Sequence, residues 1–238
     1  KSFNADLPFQ RIGGRIFGIG VTAPETVQKL NVGGVDTVCW LGTDRRVYRT
    51  SPNPQRISDP ALEELLQRTE ITLGNTDGLN PYATIDSWNG HDCYVLTVPG
   101  EGSFAYDLAT GMWHERTSHG RAVFRASVSA VGPNAQPLIG DDETGQIWEM
   151  TAAQITDGDE PVVFESSGLI EVAGAPQRCL SVSLDVATGT TSDPLADPVI
   201  QMSWSDDLGE TFTDARPDSL GRQGEGGGRV MWTRLGLV

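Results

Sequence analysis

Ser205, Asp207, Gly209, Thr211 and Phe212 fall in the spacing S-x-D-x-G-x-T-aromatic, the pattern of an Asp-box. A hydroxyl, a carboxylate and a second hydroxyl so placed can bond the amides of their own reversal, and the glycine supplies a positive φ. Before them Val199, Gln201 and Ser203 alternate with Ile200, Met202 and Trp204, the period of two of a half-buried strand. The spacing predicts a hairpin turn whose polar atoms are consumed by the backbone, a structural corner rather than a reactive centre.

Asp-boxes also occur in sialidase-like glycosidases, which are propellers. Such chemistry needs converging arginines for a substrate carboxylate, a tyrosine nucleophile and acid residues. Arg11, Arg45, Arg46, Arg116, Arg121 and Arg125 are available, with Tyr48, Tyr82, Tyr94 and Tyr106. Only one Asp-box is present, however, and no Arg-Ile-Pro motif precedes these residues. A glycosidase or carbohydrate-binding propeller is therefore the alternative reading, not the first.

Other patterns fall short of a site. His91, His114 and His119 lack the spacing of a metal centre. Asp141-Asp142-Glu143 and Asp157-x-Asp159-Glu160 do not form a calcium loop and read as solvated turns. Gly18-x-Gly20 lacks a third glycine, and the glycine-rich run Gly221 to Gly228 lacks the Lys-Ser/Thr of a phosphate loop. Around that run Arg216, Arg222, Arg229 and Arg234 make the one locally basic region, a candidate subunit interface for an acidic protein surface. No catalytic, metal or cofactor residue is assigned, and no cofactor is expected.

The chain has 238 residues and a net charge of −15, from 32 acidic against 17 basic residues. It lacks the basic stripe with which proteins neutralise phosphates, so gripping nucleic acid is excluded while letting it pass is not. Cys39, Cys93 and Cys179 are an odd set without a C-x-x-C pair, against both a zinc site and a disulfide framework. No apolar run is long enough for a membrane helix and no signal peptide opens the chain, so it reads as soluble and made in a reducing compartment. It begins without Met and ends as though inside a strand, and is read as a piece of a longer polypeptide.

Twenty-eight glycines and 14 prolines among short alternating runs predict an all-β chain. Strand pairs are expected around Gly13-Gly14, over Val35 to Tyr48, and over Ala83 to Trp88 with Asp92 to Val98. Ser58 to Leu66 predicts the one short helix, inserted between strands, with Asp59 as cap and Pro60 at its first position. Tyr106-Asp-Leu-Ala-Thr-Gly-Met-Trp113 and Gly140-Asp-Asp-Glu-Thr-Gly-Gln-Ile-Trp148 repeat a turn followed by an aromatic, and Gly42 to Tyr48 is a looser copy. Recurrence at roughly 40 residues is the mark of propeller blades. Residues 1–161 are accordingly expected to be propeller-like. Residues 162–238, with strands at Val162 to Ser166, Leu169 to Val172, Gln177 to Val186, Val199 to Ser205 and Arg229 to Leu235, are expected to be a β-sandwich carrying the Asp-box.

Three blocks carry a resemblance. They are Phe104-Ala-Tyr-Asp-Leu-Ala-Thr-Gly-Met-Trp-His-Glu-Arg116, Ile139-Gly-Asp-Asp-Glu-Thr-Gly-Gln-Ile-Trp148, and Ser203 to Glu225 followed by Arg229-Val-Met-Trp-Thr-Arg-Leu-Gly236. Over roughly Val35 to Gly236 the chain resembles the packaged-DNA stabilisation proteins of short-tailed bacteriophages. The coupling of S-x-D-x-G-x-T to S-L-G-x-x-G-E and W-x-R-L-G is the specific part. The resemblance implies a virion structural protein of the tail hub and no enzyme. It implies a homo-oligomeric ring, hexameric, below the portal and its adaptor, made in the host bacterial cytoplasm. Such a ring closes the DNA channel, lets DNA pass without sequence-specific binding, and anchors tail fibres, spikes or a needle. Against the family pattern, Gly226 to Gly228 is a looser connector.

Overall fold

The computed structural model describes residues 17–50, 53–69, 80–88, 90–151, 154, 156–169, 178–191, 195–207 and 209–237. The turn expected at Gly13-Gly14 and the loop at Gly74 to Gly78 lie outside them. The chain divides into two compact units, Lys1–Phe164 and Glu165–Val238. It is all-β: among the described residues the sheets are small, antiparallel and unclosed, with one α-helix.

In the first unit, β1 (Gln28–Val32), β2 (Val35–Leu41), β3 (Val47–Thr50) and β4 (Pro54–Arg56) form a four-stranded meander. Gly33 and Gly34, at φ 58° and 86°, make the two-residue reversal between β1 and β2. Helix α1 (Pro60–Arg68) follows. Asp59 accepts the Leu62 amide at 2.8 Å, Pro60 occupies the first position, and Leu62 and Leu66 are buried beneath. Arg45 holds the other end by donating to the carbonyls of Leu66, Gln67 and Thr69, acceptors the last turn leaves open.

A second meander comprises β5 (Tyr82–Trp88), β6 (His91–Val98), β7 (Gly102–Asp107) and β8 (Met112–Glu115). Strand β6 is buried continuously from Cys93 to Val98 because each face meets its own core. Tyr94, Leu96 and Val98 pack with Leu30, Leu41 and Val47 of the first sheet and with Leu66 of α1. Cys93 and Val95 pack with Ala105, Phe124, Ala126 and Ile139. Each buried Val, Leu, Ile or Phe among them contributes roughly 1.5–3 kcal/mol of transfer free energy.

The third sheet has three described strands, β9 (Ala126–Val131), β10 (Pro137–Asp141) and β11 (Ile147–Glu149). A minimal hairpin, β12 (Thr156–Asp157) with β13 (Glu160–Pro161), comes next. Residues Val162 to Leu169 are exposed and outside any strand, contrary to the strand expected over Val162 to Ser166; the strand expected over Leu169 to Val172 lies, beyond Leu169, outside the described residues. Apolar, β-branched composition makes a strand only beside a neighbour, and these residues have no ladder partner among the described residues.

In the second unit β14 (Arg178–Leu184) pairs with β17 (Val230–Leu237), and β15 (Val199–Met202) with β16 (Arg216–Ser219). Val230, Trp232 and Leu235 are its buried centre, with Val182, Ile200, Met202, Trp204 and Leu220 packed around them. Strand β16 was not predicted, since its sequence is Arg-Pro-Asp-Ser; Pro217, lacking an N–H, lowers strand propensity without preventing pairing. Cys39 and Cys93 are buried and Cys179 is half-buried, all as free thiols. No helix among the described residues is long and apolar enough to cross a membrane.

Candidate functional site

The Asp-box caps the β15–β16 hairpin. The Ser205 hydroxyl accepts the amides of Gly209 (2.8 Å) and Asp207 (3.3 Å) and donates to Asp207 Oδ1 (2.6 Å). Asp207 in turn accepts the Thr211 amide at 2.8 Å on Oδ1 and the Thr211 hydroxyl on Oδ2. Gly209 sits at φ 92°, and Phe212 is left exposed at the tip. Hydrogen bonds from the Ser205 and Thr211 hydroxyls, then from the Thr211 amide, lower the Asp207 carboxyl to about 2. Ser205, Asp207, Gly209 and Thr211 are thus brought together, and they are turned on each other.

The four arginines of the basic region all lie in the second unit. Arg216 lies over the Trp204 ring at 4.6 Å and donates to the Thr233 carbonyl at 3.2 Å. Arg229 pairs with Asp185 at 2.7 Å. Arg222 lies in the turn closed by Glu225, whose carboxylate accepts the Arg222 amide. Arg234, at φ 61°, stands on β17 at the register shift of the β14–β17 ladder, next to the Thr233 whose carbonyl Arg216 holds.

The candidate arginines of the first unit are bound to protein groups. Arg46 pairs with Glu63, and Arg116 pairs with Asp86 while lying over the Phe124 ring at 4.6 Å. Arg121 reaches Asp141, Asp142 and Glu143. Arg125 reaches Asp141 at 3.5 Å and Asp157 at 2.9 Å and lies 4.8 Å over the Trp148 ring. Arg45 is spent on the end of α1, and Arg11 lies outside the described residues. A substrate carboxylate would have to displace an internal partner at each of the described five.

Tyr48, Tyr82 and Tyr94 are shifted away from nucleophile chemistry. Burial, then Asp44 beside its hydroxyl at 2.6 Å, raises Tyr48. Burial raises Tyr82 and pushes Tyr94, whose hydroxyl donates to the Thr26 carbonyl, well up. The ring of Tyr106 packs on Trp113 at 5.2 Å. An activated nucleophile requires the opposite shift. His91 is held by Asp107 at 2.8 Å, and His119 stands 3.7 Å from Glu160. Among the described residues no group of three or more His, Cys, Asp or Glu is arranged to hold a metal.

An organised polar site that the sequence does not announce lies inside two turns of the repeat, of which Asp141-Asp142-Glu143 reads in sequence as a solvated corner. Trp40 pairs across its hairpin with Tyr48, Tyr106 with Trp113, and Ile139 with Trp148. In all three this is the second pair from the turn. In the β7–β8 and β10–β11 hairpins the turn is Asp-x-x-Thr-Gly. Asp107 accepts the Ala109 amide and the Thr110 hydroxyl, both at 2.8 Å. Asp141 accepts the amides of Glu143 and Thr144, both at 2.9 Å. Gly111 and Gly145 close the turns at φ 73° and 69°. The looser copy, Gly42 to Arg46, joins the middle strands of its sheet instead of the last two. The signal in the sequence was the repeated Asp-x-x-Thr-Gly itself, whose aspartate ends the strand before the turn.

Asp141 is the most enclosed member, its side chain out of contact with solvent. Burial alone would raise its carboxyl. The two amides, the Thr144 hydroxyl and the Arg121 guanidinium together outweigh burial and hold it well below the usual range. A shallow cleft of about 260 Å³ lies beside it, lined by Thr117 to Arg121, Asp157 and Pro161 to Val163. That is smaller than pockets which enclose organic ligands. Compared with models of protein families and with curated proteins, the chain matches none.

Proposed function

We propose that this chain is a structural protein of a short-tailed bacteriophage virion, a tail-hub component without catalytic activity. In this reading copies of the chain assemble as a ring below the portal and adaptor, close the DNA channel over packaged DNA, and hold fibres, spikes or a needle. The observation that carries the reading is how the three resembling blocks are used. Each folds as a hairpin whose polar side chains bond its own turn: Asp107 and Thr110, Asp141 and Thr144, Ser205 with Asp207 and Thr211. That is the behaviour of a scaffold, and it supports carrying the family's role to this chain.

The finer architecture belongs to the same proposal. We read β1–β4, β5–β8 and β9–β11 as successive propeller-like blades, supported by their consecutive antiparallel meanders and by the Asp-x-x-Thr-Gly turn that joins the last two described strands of the second and third. The two strand pairs of the second unit, sharing the Trp232 core, are read as part of a sandwich. The net charge of −15 suits a conduit that repels phosphate instead of retaining it. The glycosidase alternative is weakened by the internal pairing of the described arginines and the raised tyrosines.

The test is the mass and shape of the full chain in solution. Light scattering with negative-stain microscopy is expected to give closed multimers that do not retain duplex DNA. A monomer at all attainable concentrations would overturn the reading.

A further inference from the structure

Val162, Val163 and Phe164 are 62, 81 and 90% exposed, three large apolar side chains in succession. Scattered apolar residues on a surface need no explanation, but a consecutive exposed run points to a covering partner. Acidic groups flank the run: Asp159 and Glu160 before it and Glu165 after it, all exposed. In the second unit, the β14–β17 pair has the reverse character. It exposes Leu180 (69%) and Met231 (50%), with Arg178 at one end, Arg229 at the other and Arg234 on β17, all exposed.

We propose that Val162–Phe164 of one copy docks on the β14–β17 surface of a second copy, with Glu160 and Glu165 meeting Arg229 and Arg234. An acid-flanked apolar segment and an arginine-flanked apolar surface are complementary in both charge and hydrophobicity. Because one chain carries both, each copy presents two unlike faces, which is the requirement for head-to-tail assembly. The Arg229–Asp185 pair does not bar the contact, since both side chains are more than half exposed and such a pair holds weakly. The inference rests on the self-assembly reading above and names the surfaces that would carry it.

The experiment uses the full chain and measures mass distribution against concentration. V163D/F164D and R229E/R234E are each expected to weaken association by about tenfold or more, as for central apolar anchors and their charged partners. E160R/E165R combined with R229E/R234E restores association to within a few-fold of the parent. Far-ultraviolet dichroism checks that each variant folds, which the exposure of these positions favours. If the parent assembles and V163D/F164D assembles equally well, the docking segment is wrong while the ring reading stands. If the charge-reversed combination is no better than R229E/R234E alone, the charge pairing is wrong. A monomeric parent overturns the ring reading itself, and this contact with it.

Discussion

Asp107 and Asp141 hold the same post in two successive sheets. Each ends a strand, each turns its carboxylate into the reversal that follows, and each is followed three residues later by Thr and four later by Gly. They differ in what stands behind them. Asp107 faces one half-exposed histidine, His91, whereas Asp141 faces Arg121 and Arg125, whose side chains are only 15 and 12% exposed. The same turn is therefore a local device in β7–β8 and the hub of an ion network in β10–β11.

That difference sets the cost of removing each carboxylate. Asp107→Ala loses turn hydrogen bonds, and about 1–3 kcal/mol of destabilisation is expected. Asp141→Ala also takes the shared carboxylate from two largely buried guanidinium groups, which keep Asp142, Glu143 and Asp157, so a larger loss, about 3 kcal/mol, is expected. Urea unfolding followed by tryptophan fluorescence reads both values. Equal losses at the two positions would mean that the network behind Asp141 adds nothing.

Acid should act through the same two groups. Both carboxyls lie below their ordinary value of 3.8 in the folded state. Their contribution is complete above the unfolded value and is lost as pH falls through the lowered folded values. The part of the first unit's urea midpoint that these two groups carry is thus expected to be level down to about pH 5 and to fall below about pH 4. An earlier and separate decline below about pH 6.5 is expected from His114, whose ring is held by burial below its ordinary value. Asp141→Asn, which cannot ionise, should be less stable at neutral pH and show a shallower fall. A parallel fall in parent and variant would place the acid sensitivity elsewhere.

Helix α1 offers a local test of capping. Asp59 accepts the Leu62 amide, and no other side chain among the described residues does so. Asp59→Ala is expected to cost about 1 kcal/mol. Hydrogen exchange should localise the loss to Leu62 and Glu63, leaving the β15–β16 hairpin unchanged.

Much of this was legible from residue pattern. Asp59-Pro60 before Leu62 and Leu66 gave the helix, and the alternation over Ala83 to Trp88 and Asp92 to Val98 gave a strand pair. The Asp-box gave a hairpin turn. What pattern did not supply was pairing. Val162 to Ser166 has strand composition but no neighbour among the described residues, whereas Arg216–Ser219 has poor composition but lies beside Val199–Met202. Nor did pattern separate a solvated acidic turn from an enclosed one. Asp141, Asp142 and Glu143 look alike in sequence and all meet Arg121, and only its burial and the approach of Arg125 from 16 residues away single out Asp141.

The Asp-box makes the sharpest single-residue prediction. Asp207 is held to about 2 chiefly by the Ser205 hydroxyl, with the Thr211 hydroxyl and amide next, although it stands at the protein surface. Its titration is therefore set by turn geometry rather than burial. Carbon-detected NMR should place its midpoint near 2. Ser205→Ala, by removing the largest contribution, should move that midpoint up towards 3.8, and Thr211→Val should move it part of the way. Gly209→Ala should raise it as well, because a side chain at φ 92° strains the reversal that aligns these groups. If Ser205→Ala leaves the midpoint unmoved, the carboxylate is not bound by its own turn, and its oxygens are free for an external donor.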